Sequence, residues 1–200
     1  MEGIHVILPF ATQNEGKLNE AREILGPLGI EVESMNLDLA EPDRGTIEAV
    51  TMEKLRQVRE MGFSRVMVDD AGIFFAAYPH FPGILTKRVF QGIGYKGIMK
   101  LLDGETRKAW FEGAVAVLWD GETVAFSAQT PGRLLKTSPD RIQPEPGFPF
   151  NSIFIPHGDH RTLSEMSAEE RAHYSYRGKV LKQVARWLSE RTEGDGAARK

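Results

Sequence analysis

At 200 residues, with 41% apolar and 26% charged side chains, the chain is long enough for one sizeable core and too short for two ordinary domains. Its formal charge of -3 offers no general attraction to a nucleic-acid backbone or an anionic membrane, and the absence of cysteine removes disulfides, thiolate metal sites and thiol nucleophiles. No apolar run approaches the roughly 20 residues of a membrane span, and the apolar stretch after Glu2 lacks a leader's basic flank and cleavage site, so the expected location is the cytoplasm.

The first apolar run, "IHVILPF", reads as a buried strand, and the helix after it repeats apolar residues at Leu18, Ala21, Leu25 and Leu28. Between them lie Thr12, Asn14 and Lys17. A strand-to-helix junction exposes backbone N–H groups and the positive end of the helix dipole, so a phosphate can dock there, with Lys17 as a mobile charge and Thr12 and Asn14 as hydrogen-bonding groups. The structural alternative is a capping box of Thr12 with Glu15 and a solvated Lys17. A Walker loop is excluded, because Ala11 and Leu18 stand where it needs Gly and Ser or Thr.

"IEVESMNL" alternates like a second strand, and Thr46 to Met61 reads as a second helix. Lys54 is seven residues from Ile47 and four from Val50, so it falls on that helix's apolar stripe, either reaching into a cleft or snorkelling to the surface. "RVMVDD" reads as a third strand ending in Asp69 and Asp70. Paired carboxylates at a strand's C-terminal end suit a hard cation such as Mg²⁺ that bridges phosphates, with Glu41 as a further ligand; an Asx turn is the structural alternative. In "FPGILTKR", Lys87 and Arg88 follow a Pro-Gly turn and form either a phosphate clamp or a solvated pair.

Tyr95 to Leu102 reads as a short helix. "GIGYKG" matches the dinucleotide fingerprint letter for letter, but it lies far from the first βαβ unit and before a short helix, so it is discounted. "WFEGAVAVLWD" and "TVAFSAQT" flank Asp120-Gly121, a tight hairpin signal that brings an antiparallel pair into the sheet. Past "QPEPGFPF", Thr162 and Ser167 each have Glu three residues later, two capping boxes before a helix ending near Leu188. "HGDH" has ligand-type residues without the fixed spacing of a zinc site and reads as a polar loop. The expectation is one α/β unit over residues 1–190 with a mixed sheet, followed by a disordered tail over residues 191–200.

Six segments in order, "FATQNEGKLNE", "VDDAGIFF", "FPGILTKR", "FEGAVAV", "PGFPFNSIF" and "TLSEMSAEERAHYSYRGKVL", resemble the Ham1-like inosine triphosphate pyrophosphatases from about Val6 to Leu188. The resemblance implies an elongated mixed α/β fold of two lobes around a central cleft, commonly a homodimer, that uses Mg²⁺. It implies cleavage of purine nucleoside triphosphates of the inosine and xanthosine type between the α- and β-phosphates, giving a monophosphate and pyrophosphate. By the same resemblance Thr12, Asn14 and Lys17 bind phosphate, Glu41 and Asp70 bind the metal with Asp69 as their acidic neighbour, Lys54 and Lys87 place positive charge in the cleft, and Arg88 is the basic end of the Pro-Gly motif, a further substrate-binding candidate. Asp70, Lys17 and Lys54 are then the catalytic candidates. Neither nucleic acid nor membrane is an expected partner.

The departures fall on the base side. Where the family has Gly-(aromatic)-Asp-Pro this chain has Asn151 and Ser152, and where it has Ser-His-Arg this chain has Ser175, Tyr176 and Arg177. Phe148 is left to stack on a purine and Arg177 to donate to a 6-oxo group, while the hydrogen-bonding pattern at Asn151 and Tyr176 is changed. Three readings stay open: preference for inosine- and xanthosine-type triphosphates, the same reaction on another nucleotide, and nucleotide binding without turnover.

Overall fold

The periodicities of the sequence turn into a mixed sheet with helices on both faces. The computed structural model describes residues 6–137 and 142–197, with side chains as far as Thr192. In chain order the elements are β1 (Val6–Ala11), α1 (Glu15–Leu25), β2 (Ile30–Met35), α2 (Ile47–Glu60), β3 (Arg65–Phe75), β4 (Pro82–Gly83), α3 (Thr86–Leu101), β5 (Lys108–Trp119), β6 (Glu122–Leu134), β7 (Phe154–Pro156), α4 (Ala168–Tyr174) and α5 (Tyr176–Ala197). Among the described residues seven strands form one sheet in the order β2-β1-β3-β5-β6-β7, with β4 beside β3. β1 is parallel to β2 and β3, and the pairs from β3 through β7 are antiparallel.

Strand alternation assigns the faces. Val6, Leu8, Phe10, Met67, Val115 and Val117 pack with Leu18, Ala21 and Leu25 of α1 and Val180, Leu181 and Val184 of α5. Val66, Val68, Ala116 and Leu118 pack with Leu55 and Val58 of α2 on the opposite face. Each buried Leu or Val in these stripes contributes about 1.5–3 kcal/mol of apolar transfer. A separate core gathers Ile73 and Phe75 at the far end of β3, Ile98 and Leu102 around the end of α3, and Phe150, Ile153 and Phe154. β3 therefore runs through two packed regions, the two lobes expected around a cleft.

Two readings need correction and a third is extended. Asp69 and Asp70 do not end a strand: β3 continues to Phe75 in register with β5 as far as Phe75↔Ala109. The parallel neighbour stops first, since β1 ends at Ala11 and pairs with β3 at Phe10↔Met67. The carboxylates thus lie past the parallel half of a long strand. The helix of Tyr95–Leu102 forms as the second half of α3, and a helical segment that the sequence reading did not include precedes it from Thr86, where Thr86 Oγ1 donates to Gly83 O at 2.6 Å and accepts from Ile73 N at 2.9 Å. Gly94, at φ 55° and ψ -167°, kinks α3 between the two segments. Both capping boxes form, but the helix expected after them is two. Ser175, in extended backbone, ends α4 and accepts from Gly178 N at 3.0 Å, which starts α5 and sets Tyr176 and Arg177 in its first turn. α5 runs past Leu188 to Ala197; of the expected tail, residues 198–200 lie outside the described residues. The hairpin forms at Asp120 and Gly121, both at positive φ.

Candidate active site

β1 leads through α1 to β2 on one side, and β2 returns through α2 to β3 on the other. The junction after β1 is therefore a topological switch point, where open α/β sheets leave a ligand-binding crevice. Asn14 caps α1, its Oδ1 accepting from Lys17 N at 3.2 Å, while Thr12 Oγ1 accepts from Asn14 N at 3.2 Å. The cap is thus Asn14 rather than Thr12, and Thr12 organises the turn before it.

Successive side chains on a strand point to opposite faces. Asp69 turns toward α1 and α5, where Lys17 Nζ lies 3.0 Å from both of its carboxylate oxygens. Asp70 turns toward α2, where Lys54 Nζ donates to its Oδ1 at 2.7 Å and sits 3.8 Å from Glu41 Oε1. Lys54 is buried, and its Nζ is also 3.5 Å from Asp69 O, so it reaches into the cleft rather than snorkelling.

The charges set the protonation of these groups. Burial pushes the Asp69 carboxyl up, but Lys17, Arg177 and Lys54 outweigh it and hold it below the usual carboxylate range. At Asp70 burial outweighs Lys54 and Lys17, and its pKa is raised. Burial would lower Lys54, yet Asp70, Asp69 and Glu41 together raise it, so the ammonium stays charged at neutral pH.

Glu41, Asp70, Lys87 and Arg88 line one small cavity of about 30 Å³ with Pro42, Val50, Ile84 and Leu85. Hard oxygen ligands suit Mg²⁺, which is commonly held by one or two carboxylates and substrate phosphates. Glu41 and Asp70 fit that role. Asp69 is turned to the other face and engaged by Lys17, and no group of three or more His, Cys, Asp or Glu that could hold a metal occurs among the described residues. The sheet pleat separates the two adjacent carboxylates. A larger groove, about 630 Å³, runs along the outer edge of β2 beside Arg22, Glu31 and Glu33.

An aromatic wall adjoins the turn that carries Asn14 and Lys17. Gly147 O accepts from Asn14 Nδ2 at 3.4 Å, and Phe148 lies so close over α1 that a Cβ on Gly16 would stand 2.4 Å from its Cε2. The Arg177 guanidinium stands 5.6 Å from the Phe148 ring centre and 5.1 Å from that of Tyr176. Tyr176 lies flat on β5, where a Cβ on Gly113 would fall 2.1 Å from its ring. Arg177 is only 3% exposed, donates through Nη1 to Glu20 and through Nη2 to Tyr176 Oη at 2.9 Å, and has Nε 3.6 Å from Asp69 Oδ2. It links the aromatic wall to Asp69 and Glu20. Asn151 lies in the 3-10 turn Pro149–Ser152 directly after Phe148.

Sequence reasoning missed Glu20, which accepts from Arg177 and from Ser175 Oγ. Its signal was the three-residue spacing from Lys17, which puts both on one face of α1. It also missed Glu145, which pairs with Arg171 at 2.8 Å, in a Pro-rich loop that carries no periodic signal. The fingerprint glycines lie within α3, and "HGDH" is a loop in which Asp159 accepts from Arg161 N at 2.8 Å.

The model of the Ham1 family matches residues 8–187. A dITP/XTP pyrophosphatase of Thermococcus kodakarensis is 39% identical over 184 residues, covering 92% of this chain and 97% of that protein. An inosine triphosphate pyrophosphatase of Yarrowia lipolytica is 34% identical over 187 residues, with 92% and 96% covered. A solved HAM1 protein from Coxiella burnetii superposes with a TM-score of 0.74 at 22% identity, covering 92% of this chain and 99% of that one, a likeness of fold. With the family model matched over residues 8–187 and near-complete coverage on both sides, the chain belongs to the Ham1 family.

Proposed function

We propose that this protein hydrolyses inosine, deoxyinosine and xanthosine triphosphates to the monophosphate and pyrophosphate with Mg²⁺, removing them from the nucleotide pool. Family membership makes it an enzyme, a nucleoside triphosphate pyrophosphatase acting on a phosphorus anhydride. The choice of base, the metal, a homodimeric assembly and a cytoplasmic location belong to the proposal; no helix among the described residues is long and apolar enough to cross a membrane.

One observation carries the reading: Lys17 and Lys54 converge from opposite faces on successive carboxylates at the switch point, beside a Phe148 ring braced by Arg177. That combination suits a polyphosphate joined to a flat base. Cleavage of a phosphoanhydride asks for neutralised oxygens and a positioned water. Glu41 and Asp70 would hold Mg²⁺, which would supply charge neutralisation to the phosphates. Lys17 and Lys54 add charge from either face, and Thr12, Asn14, Lys87 and Arg88 bind and orient the phosphates. Asp70 Oδ1 is engaged by Lys54, which leaves Oδ2 for the metal or the attacking water. Phe148 stacks on the base and Arg177 braces it.

The test is pyrophosphate release by the purified protein with Mg²⁺ across inosine, deoxyinosine, xanthosine, guanosine, adenosine and pyrimidine triphosphates. Preference for the first three is the expected result. A different best substrate would favour the second reading, which the replacements at Asn151 and Tyr176 motivate, and silence on all would overturn hydrolysis.

A further inference from the structure

Gly92, Gly94 and Gly97 of "GIGYKG" fall at the kink that divides α3. At φ 55° and ψ -167°, Gly94 occupies backbone that essentially only glycine adopts, and nothing lies within 4 Å of where its Cβ would stand. Its need for glycine is conformational, with no packing component. Gly97 needs glycine for space: a Cβ there would fall 2.3 Å from Ile93 Cβ, whereas Cβ atoms four residues apart on a regular helix stand about 5–6 Å apart. The kink folds Ile93 onto the second half of the helix. Each half is anchored separately. In the second, Ile98 and Leu102 are buried in the core that holds Phe150 and Phe154, Tyr95 Oη donates to Pro149 O at 2.5 Å, and Leu101 O accepts from Tyr78 Oη at 2.7 Å. In the first, Thr86 Oγ1 is tied to Ile73 of β3 and Gly83 of β4, and Lys87 and Arg88 line the cavity shared with Glu41 and Asp70. Phe90 closes the angle, edge-on to Tyr95 at 4.9 Å and to Phe150 at 5.5 Å. A straight helix of these 16 residues would span about 24 Å, so with both ends anchored, straightening would pull one of them from its place.

We propose that Gly94 and Gly97 form a rigid elbow that positions Lys87 and Arg88 on the polyphosphate, acting through those two cations without touching the ligand. This rests on the reading above that Lys87 and Arg88 bind phosphates. The two glycines set one angle by different means, Gly94 by its dihedrals and Gly97 by close approach, so perturbing either displaces the same pair of charges. Tyr95 follows Gly94 directly and holds Pro149, the residue after Phe148, so the elbow also fixes how far the phosphate clamp stands from the aromatic wall. Gly94 and Gly97 are therefore positioning residues, and the motif that matches a dinucleotide fingerprint by its letters serves as a joint in a helix.

The probe is inorganic tripolyphosphate, which carries no base. Calorimetry in one Mg²⁺ buffer measures its affinity for the wild type, Gly94→Ala, Gly97→Ala, the clamp variant Lys87→Ala/Arg88→Ala, and each glycine variant combined with the clamp variant. Gly94→Ala and Gly97→Ala should each weaken binding by about tenfold, the order of one lost charge-assisted contact. In the background without the two cations, neither substitution should change affinity by more than about twofold, because residues that act through one another are not additive. A merely structural role would cost the same in both backgrounds. Two controls separate strain from position. Gly62→Ala strains a glycine at φ 90° with nothing within 4 Å, just past α2, and should lower Tm as Gly94→Ala does while leaving the affinity unchanged. Gly92→Ala, also with nothing within 4 Å of its Cβ, should alter neither. Gly97→Ala carries the test should Gly94→Ala fail to fold. Unchanged affinity in the glycine variants, or a loss that persists undiminished without Lys87 and Arg88, overturns the elbow, as does a wild type that binds no tripolyphosphate. Pyrophosphate release from inosine triphosphate separates this inference from the hydrolase reading. Absent turnover with tripolyphosphate binding lost only through the clamp would overturn hydrolysis and support the elbow, whereas turnover with additive losses would overturn the elbow alone.

Discussion

Replacing Gly16 by alanine sets the position of Phe148 against the stability of α1. The added Cβ would lie 2.4 Å from Phe148 Cε2 and 3.0 Å from Cζ, with Asn14 Oδ1 at 3.2 Å. Carbon atoms rest at about 3.5 Å or more, so the ring has to move by roughly 1 Å. The helix cannot yield instead, because Leu18, Ala21 and Leu25 fix it in the core, whereas Phe148 is half-buried. Alanine gains about 1 kcal/mol of helix propensity over glycine, and the crowding costs about 1–3 kcal/mol, so net stability should change by no more than about 2 kcal/mol. Stacking of a base on an aromatic ring is worth about 1–3 kcal/mol, which at 1.4 kcal/mol per tenfold predicts a five- to 150-fold fall in kcat/KM for inosine triphosphate. The assay is pyrophosphate release against substrate concentration, paired with thermal unfolding. Gly26→Ala is the control: nothing lies within 4 Å of its Cβ, its φ is -54°, and it should gain about 0.4–1 kcal/mol with unchanged kinetics. Gly16→Ala with kcat/KM within twofold of wild type would refute the stacking role, and a Tm loss beyond about 10 °C would show that the ring is structural.

Further expectations concern the charged groups. Asp70→Asn should cut turnover by about 10²-fold or more while Tm moves by only a few degrees; near-wild-type turnover would remove Asp70 from the mechanism. Glu20→Ala removes one of Arg177's partners and leaves Tyr176 Oη and the Asp69 carboxylate; loss of a buried charged hydrogen bond costs about 1.5–3 kcal/mol and should lower Tm by about 3–12 °C, whereas a shift under about 2 °C would show that the remaining partners suffice. Asp69 has a folded pKa below its unfolded 3.8, so its contribution to stability is present above about pH 4 and lost as pH falls through the folded value. Asp69→Asn should therefore cost most at neutral pH, and the gap from wild type should close on acidification; unfolding curves showing a constant gap from pH 7 to pH 2 would contradict this. Chelation by EDTA should stop pyrophosphate release and leave the unfolding temperature in place, and activity that persists would exclude the metal.

The alternation of strands and helices could be read directly because apolar spacing follows the period of each element, as in the stripe Leu18, Ala21, Leu25. Lys54 was visible as a charge on such a stripe, and the Asp120-Gly121 turn followed from local chemistry. The length of β3 was hidden because two carboxylates look like a terminus, and only the pairing with β5 shows them in mid-strand. The helix at Thr86 depends on hydrogen bonds to Gly83 and Ile73, which lie beyond local propensity. Glu20 and Glu145 find their roles through partners 157 and 26 residues away, a distance at which no periodicity operates.

The pleat of β3 also limits how this chain can vary. Asp69 and Asp70 do separate work only because one backbone step turns them to different sides of the sheet, and eleven paired positions with β5 hold that register. A single inserted or deleted residue before Asp69 would exchange their faces, handing Lys17 the carboxylate meant for Lys54. Residues 65–68 should accordingly accept apolar exchanges in the laboratory far more readily than changes of length, while the exposed turn at Asp120 and Gly121 should tolerate insertion.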